Sequence, residues 1–188
     1  MLRALARYLK PVKRFGKAKR GAAALEFAIV AMPFFLLTFG LAEVAMIGFV
    51  QTSLDFAVSE TARRIRLGEV QMQGVSYAQI QTDLCSQLNR FLAVTCGGNL
   101  YLDVDRFNSF VDANNSAPNP IQDNQFQPVG FGYTPGAPSD IVVVRAYYRW
   151  KIMTPLFEDV FANVQGGQRI LVSTMMFRNE PYCNGASC

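Results

Sequence analysis

The sequence predicts an α+β protein: one long N-terminal helix, apolar at its start, followed by a small domain with a short second helix and an antiparallel sheet of about three strands. Three observations carry that reading. A basic head of 20 residues runs directly into an apolar stretch that is free of charge from Phe27 to Ala42, 16 residues. Helical spacing of apolar residues continues beyond that stretch. Alternating apolar and polar residues mark the second half of the chain. With 188 residues there is room for the helix and one modest domain.

The head, Met1–Arg20, holds eight of the 18 basic residues and no acid, so the remainder carries 10 bases against 14 acids. A basic arm on an acidic body fits nucleic acid as well as a membrane. Its position favours the membrane, because Lys and Arg flanking an apolar segment mark the cytoplasmic side of a span. No nucleic-acid partner is therefore expected. That orientation places 1–21 in the cytoplasm as a leader, residues 22–50 across the inner membrane in contact with lipid, and the rest in the periplasm, with a single pass. A helix over 22–50 would be about 43 Å long, against a hydrocarbon core of about 30 Å. Pro33 removes one backbone donor from it, which membrane helices tolerate. Gly40, Ala42, Ala45 and Gly48 offer small surfaces to another helix. A cleaved secretory signal ending near Gly40-Leu41-Ala42 is the rival, but the apolar stretch continues past that site.

Glu26 is the anomaly. An acid at mid-span costs about 2.5–3.5 kcal/mol on insertion scales and less near the interface, so Glu26 needs a partner or a shallow position. A place in the first helical turn, at the positive end of the helix dipole, supplies part of that.

Beyond the span, Leu54, Val58, Thr61, Ala62 and Ile65 keep helical spacing, and Gly68 offers a stop, so the helix is expected to continue to about 68. The domain then occupies 69–188. Ser76 is a cap for a second helix with Tyr77, Ile80, Leu84, Leu88 and Leu92 on one face. Leu100–Asp105 alternates, and so does Ile141–Ile152, with Val142, Val144, Ala146, Tyr148, Trp150 and Ile152 on one face and Arg145, Arg149 and Lys151 on the other. Thr154 is a cap candidate for a short helix from Pro155 through Phe161. Gly166-Gly167 turns the chain into a third strand, Arg169–Phe177. The stretch 112–140 has no period and reads as a long loop, either a partner-binding surface or an ornament.

Cys85, Cys96, Cys183 and Cys188 all follow the span, which is disulfide usage in an oxidising compartment. Three connectivities are open; the two short local loops favour Cys85–Cys96 with Cys183–Cys188. A zinc site is disfavoured by the absence of histidine and by the spacings. The same absence excludes Ser-His-Asp and Cys-His catalysts. Lys151 is the only lysine beyond the leader, and no glycine-rich stretch has phosphate-loop context. Neither a catalytic function nor a cofactor is expected.

Gly21 followed by Ala22-Ala23-Ala24-Leu25-Glu26-Phe27, behind a basic leader, resembles the class III signal of type IV-like prepilins in its tight-adherence (Flp pilus) form. Near the other end, Arg178-Asn179-Glu180-Pro181 is similar to the ending of TadE-like proteins. Together these features resemble the TadE/TadF/TadG-like group of pseudopilins and cover nearly the whole chain. Major Flp pilins usually have Glu-Tyr where this chain has Glu26-Phe27 and are far shorter, so the resemblance implies a minor pilin or pseudopilin with a pilin-like fold. It further implies cleavage by a prepilin peptidase between Gly21 and Ala22, leaving Glu26 at the fifth mature position to pair with the freed ammonium of a neighbouring subunit. The partners it implies are that peptidase, other pilins and pseudopilins of the system, and the inner-membrane assembly platform, in a pilus that serves surface adhesion and biofilm formation.

Two functions from different classes are thus open: a pseudopilin that initiates, caps or helps assemble the filament, and an uncleaved membrane-anchored periplasmic binding or enzymatic domain.

Overall fold

A computed structural model describes residues 21–90, 94–116 and 118–183. The basic leader 1–20 and Cys188 lie outside the described residues. Helix α1 runs Ala22–Arg66, 45 residues with Pro33 inside it. It is long and apolar enough to cross a membrane. Packing divides the chain into two units, with the boundary between Ala42 and Glu43.

In the first unit the apolar side chains of α1 stay exposed, Leu25 and Phe27 among them. In the second, α1 buries a stripe of Val50, Leu54, Ala57, Val58, Ala62 and Ile65, whose spacing keeps one helical face against the domain. Gly68 ends this run with φ +77°, a conformation costly for any residue with a Cβ. A single turn, α2 (Glu69–Met72), leads to α3 (Tyr77–Leu88). Ser76 and Gln79 form a reciprocal capping box at the start of α3. Ile80, Leu84 and Leu88 of α3 complete the helical side of the core.

The sheet comprises β1 (Leu100–Phe107), β4 (Ile141–Lys151) and β5 (Gln168–Arg178), in the order β1-β4-β5 and antiparallel throughout. Leu100, Leu102, Val104, Val142, Val144, Ala146, Tyr148 and Leu171 face the helices. Burying each large aliphatic side chain contributes about 1.5–3 kcal/mol, so this layer dominates the domain's stability. The architecture is the α+β arrangement expected from the sequence.

The opposite face is covered in part, over β1 and β4, while Val172 and Met176 of β5 stay exposed. Residues 112–140, without period in the sequence, contribute to α4 (Phe110–Asn115) and the small hairpin β2 (Ile121–Gln122)–β3 (Gln125–Phe126). Asp123 and Asn124 at its turn have φ of 50° and 57°, which these two residue types tolerate better than most. Phe131 stacks on Tyr147 at 4.9 Å, and Phe126 packs against Tyr101 and Tyr147. The Val104 N–H donates to the Gly132 carbonyl at 2.9 Å and the Thr134 N–H to the Val104 carbonyl at 2.7 Å, which closes the β1 edge of the sheet.

Beneath this cover lies a buried ion pair. Asp103 and Arg145 are opposite one another in the β1–β4 register and meet at 3.0 Å, with Asp105 at 3.8 Å from the same guanidinium. Arg145 therefore does not lie on an open face with Arg149 and Lys151, as the alternation alone suggests. Asp103 Oδ1 also accepts from the Gly132 N–H at 3.0 Å.

Candidate processing and assembly site

At the start of α1, Gly21 is exposed, and a Cβ built on it would meet nothing within 4 Å. Its φ is not in the left-handed region. Among the described residues, neither packing nor backbone conformation calls for glycine there. The first turn of α1 carries no acid, so Glu26, the fifth helical residue, stands just beyond the turn where the sequence reading put it. Glu26 is exposed, flanked by Leu25 (66% exposed) and Phe27 (71%), and no ion pair or hydrogen bond reaches its carboxylate among the described residues.

Glu43 is the opposite case. It is 3% exposed, and its two carboxylate oxygens accept from the backbone N–H groups of Met153 and Thr154, each at 3.1 Å. These donors open the connector between β4 and β5, a 3₁₀ turn (Pro155–Phe157) continuing into α5 (Glu158–Phe161). Glu43 therefore caps the end of β4 from the helix. The Thr154 side chain makes no cap, contrary to the sequence expectation: the Phe157 N–H that it would accept from donates instead to the Thr154 carbonyl at 2.9 Å.

The C-terminal motif closes the other end of the helix. After Arg178, the exposed last residue of β5, Asn179 is 2% exposed and donates through Nδ2 to the carbonyls of Pro135 and Ala137, both at 3.0 Å. Its backbone N–H donates to the Asp140 carbonyl at 2.8 Å. The Glu180 N–H donates to the Arg66 carbonyl at 2.9 Å, which satisfies one of the last carbonyls of α1, and the Glu180 side chain lies 3.4 Å from Arg66. Past Pro181, the Tyr182 ring covers Gly68, so closely that a Cβ at Gly68 would fall 2.3 Å from it, and the hydroxyl donates to the Gly136 carbonyl at 3.2 Å. Asn179, Glu180 and Tyr182 thus clamp the helix end to the segment 135–140.

Residues 21–63 match the family model of the TadE-like proteins. Over those residues the chain is TadE-like. No curated protein and no solved structure matches it.

The TadE-like segment contains Gly21, Ala22, Glu26 and Glu43, whereas the motif Arg178–Pro181 and the clamp built on Asn179, Glu180 and Tyr182 lie outside it. Glu26 and the clamp belong to different units. Glu43 and the Asp103–Arg145 pair are the polar residues that the sequence reading missed. The signal for the pair was present, since Asp103 and Asp105 alternate against Leu102 and Val104 in one strand while Arg145 interrupts the other. Glu43 carried no such local signal.

Cys85 of α3 and Cys96 form the expected disulfide, with Cα atoms 6.0 Å apart. It closes a short loop worth about 3 kcal/mol in the chain-entropy account. Cys188, the proposed partner of Cys183, is outside the described residues. Among the described residues no cluster of acids and cysteines is arranged to hold a metal ion.

Proposed function

We propose that this TadE-like chain is a pseudopilin of the tight-adherence pilus system, a structural protein that is cut after Gly21 and then joins other pilins through its N-terminal helix. The observation that carries this reading is the TadE-like match over 21–63 combined with an acid, Glu26, that has no partner among the described residues of an apolar helix. An unpaired carboxylate entering hydrocarbon is costly, and a cation from a second subunit removes that cost. Cleavage creates such a cation: hydrolysis of the Gly21–Ala22 bond adds water, leaves a carboxylate on Gly21 and frees the ammonium of Ala22. A glycine that nothing among the described residues requires suits a bond that must pass through a peptidase's active site.

In this reading the basic leader stays on the cytoplasmic side, the domain from Glu43 onward lies in the periplasm, and the chain primes, caps or helps assemble the filament at the inner-membrane platform. The exposed apolar surface of 22–42 is first covered by lipid and then by neighbouring helices.

Intact-mass measurement of the protein from a host carrying the matching peptidase tests the processing step. The mature chain is expected to begin at Ala22, and Gly21→Leu to leave a precursor longer by 21 residues. Glu26→Ala is expected to be cleaved much as the wild type but to co-purify less well with partner pilins. A wild-type chain beginning at Met1 sinks the processing step and favours an uncleaved membrane-anchored domain. Normal association of cleaved Glu26→Ala sinks the charge-pairing role alone.

A further inference from the structure

We propose that the β4–β5 connector, Met153–Phe161, is a lipid-contacting element that rests in the interfacial layer of the membrane into which α1 is inserted. This rests on the reading of the start of α1 as a span, shortened here from 22–50 to 22–42 because Glu43 and Val50 are buried in the domain, and its test separates the two.

Glu43 is the first ionisable residue after the charge-free run Phe27–Ala42. A helix from Ala22 to Ala42 rises about 31 Å, the thickness of a hydrocarbon core, so Glu43 falls where the span meets the headgroups. A glutamate there can be solvated by water, yet this one is 3% exposed and held by the N–H groups of Met153 and Thr154 at 3.1 Å. The connector that covers it consequently begins at the depth of Glu43, within the length of one side chain.

The composition of the connector suits that depth. Met153, Leu156 and Val160 are 66%, 68% and 69% exposed, three large apolar side chains within eight residues. Leu156 and Val160 are four residues apart, and the neighbouring Phe157 and Phe161 rings lie 5.7 Å from one another. Apolar side chains concentrated on a short exposed turn mark an interaction site rather than ordinary surface. No Lys or Arg occurs from Met153 to Phe161, while Glu158 and Asp159 do, so attraction to anionic headgroups is not the driving force. Insertion into a zwitterionic surface fits the residues present.

The single tryptophan makes a direct test available. In the full chain with Trp150→Phe, tryptophan is returned at one position at a time, and the protein is reconstituted at high lipid-to-protein ratio into phosphatidylcholine vesicles brominated at shallow or deep acyl positions. Leu156→Trp is expected to emit at shorter wavelength than an exposed tryptophan and to be quenched several-fold more by shallow than by deep bromines, with no effect of added salt. Val160→Trp provides an independent second position with the same expectation. Phe35→Trp, within the span, should be quenched strongly by deep bromines. Val111→Trp, 68% exposed on α4 beside Ile141 at the other end of β4, should not be quenched. If Phe35→Trp is quenched but Leu156→Trp and Val160→Trp behave like Val111→Trp, the proposal is wrong and the span reading stands. If Phe35→Trp is also unquenched, the span reading fails and takes the proposal with it. Blue-shifted emission without quenching at 156 and 160 means that protein, such as a second copy, covers the connector, and it overturns the lipid assignment.

Discussion

Glu26 and Glu43 belong to one apolar helix, and their surroundings assign them different work. Glu43 is enclosed and meets two backbone donors, so removing it takes the acceptor from the Met153 and Thr154 N–H groups. Glu43→Ala is expected to destabilise the domain by about 2–3 kcal/mol, the range for losing hydrogen bonds to a charged group. Thermal unfolding of the full chain in detergent micelles checks this, with Glu26→Ala expected to unfold at the wild-type midpoint. The sequence made Glu26 conspicuous because its significance is local: a glycine, a short run of alanines and an acid at the mouth of an apolar run. Glu43 looked like a mere interruption because its donors lie 110 and 111 positions away. No pattern along α1 announces them.

At the scale of elements, the boundary between α1 and the rest depends on Gly68 and the segment that lies over it. Gly68→Ala meets two penalties, the left-handed backbone and the Tyr182 ring 2.3 Å from the new Cβ. The backbone term alone is about 1–2 kcal/mol, and the ring must move as well. The expected outcome is a lowered unfolding midpoint together with faster proteolysis after Arg178, read by mass spectrometry of limited digests. Asn179→Ala should act on the same clamp by freeing the Pro135 and Ala137 carbonyls, at a cost of about 1–3 kcal/mol. The stop at Gly68, the cap at Ser76 and the three long strands were all legible, since each rests on spacing or on one residue's conformational preference. The covering of the sheet's second face was not. Phe126 and Phe131 sit in a stretch rich in Pro, Gly, Asn and Gln, and only the folded chain brings them onto Tyr101 and Tyr147. The same long-range packing turns Arg145 from a presumed surface residue into a buried one.

Across the whole domain, the Asp103–Arg145–Asp105 cluster links acid–base equilibrium to stability. The carboxyl of Asp105 is pushed above the usual aspartate range, chiefly because burial strips its water and secondarily because Asp103 is nearby, with Arg145 opposing. A raised carboxyl holds its proton more tightly in the folded than in the unfolded chain. Its contribution to stability is therefore fully present below the ordinary value, about 3.9, and is lost as pH rises through the raised one. Asp105→Asn cannot ionise. Relative to the wild type, its unfolding midpoint should improve as pH climbs from about 3 through the raised value and then level off. A difference that is constant with pH would show that ionisation of Asp105 is unchanged by folding.

The helix from Glu43 to Arg66 is about 36 Å long, and β4, with 11 residues, is nearly the same length. Glu43 is fastened beyond the Lys151 end of that strand, and the Arg66 carbonyl is fastened beyond Arg178, which pairs with Ile141 at the other end. Helix and strand therefore run in opposite senses along their shared core and are tied at both ends. A pull on the chain through Ala42, along the helix axis, would have to slide the whole apolar stripe past the sheet at once instead of unzipping it one residue at a time. Such shear geometry distributes mechanical force over many contacts, making this half of the helix a stiff handle on the domain.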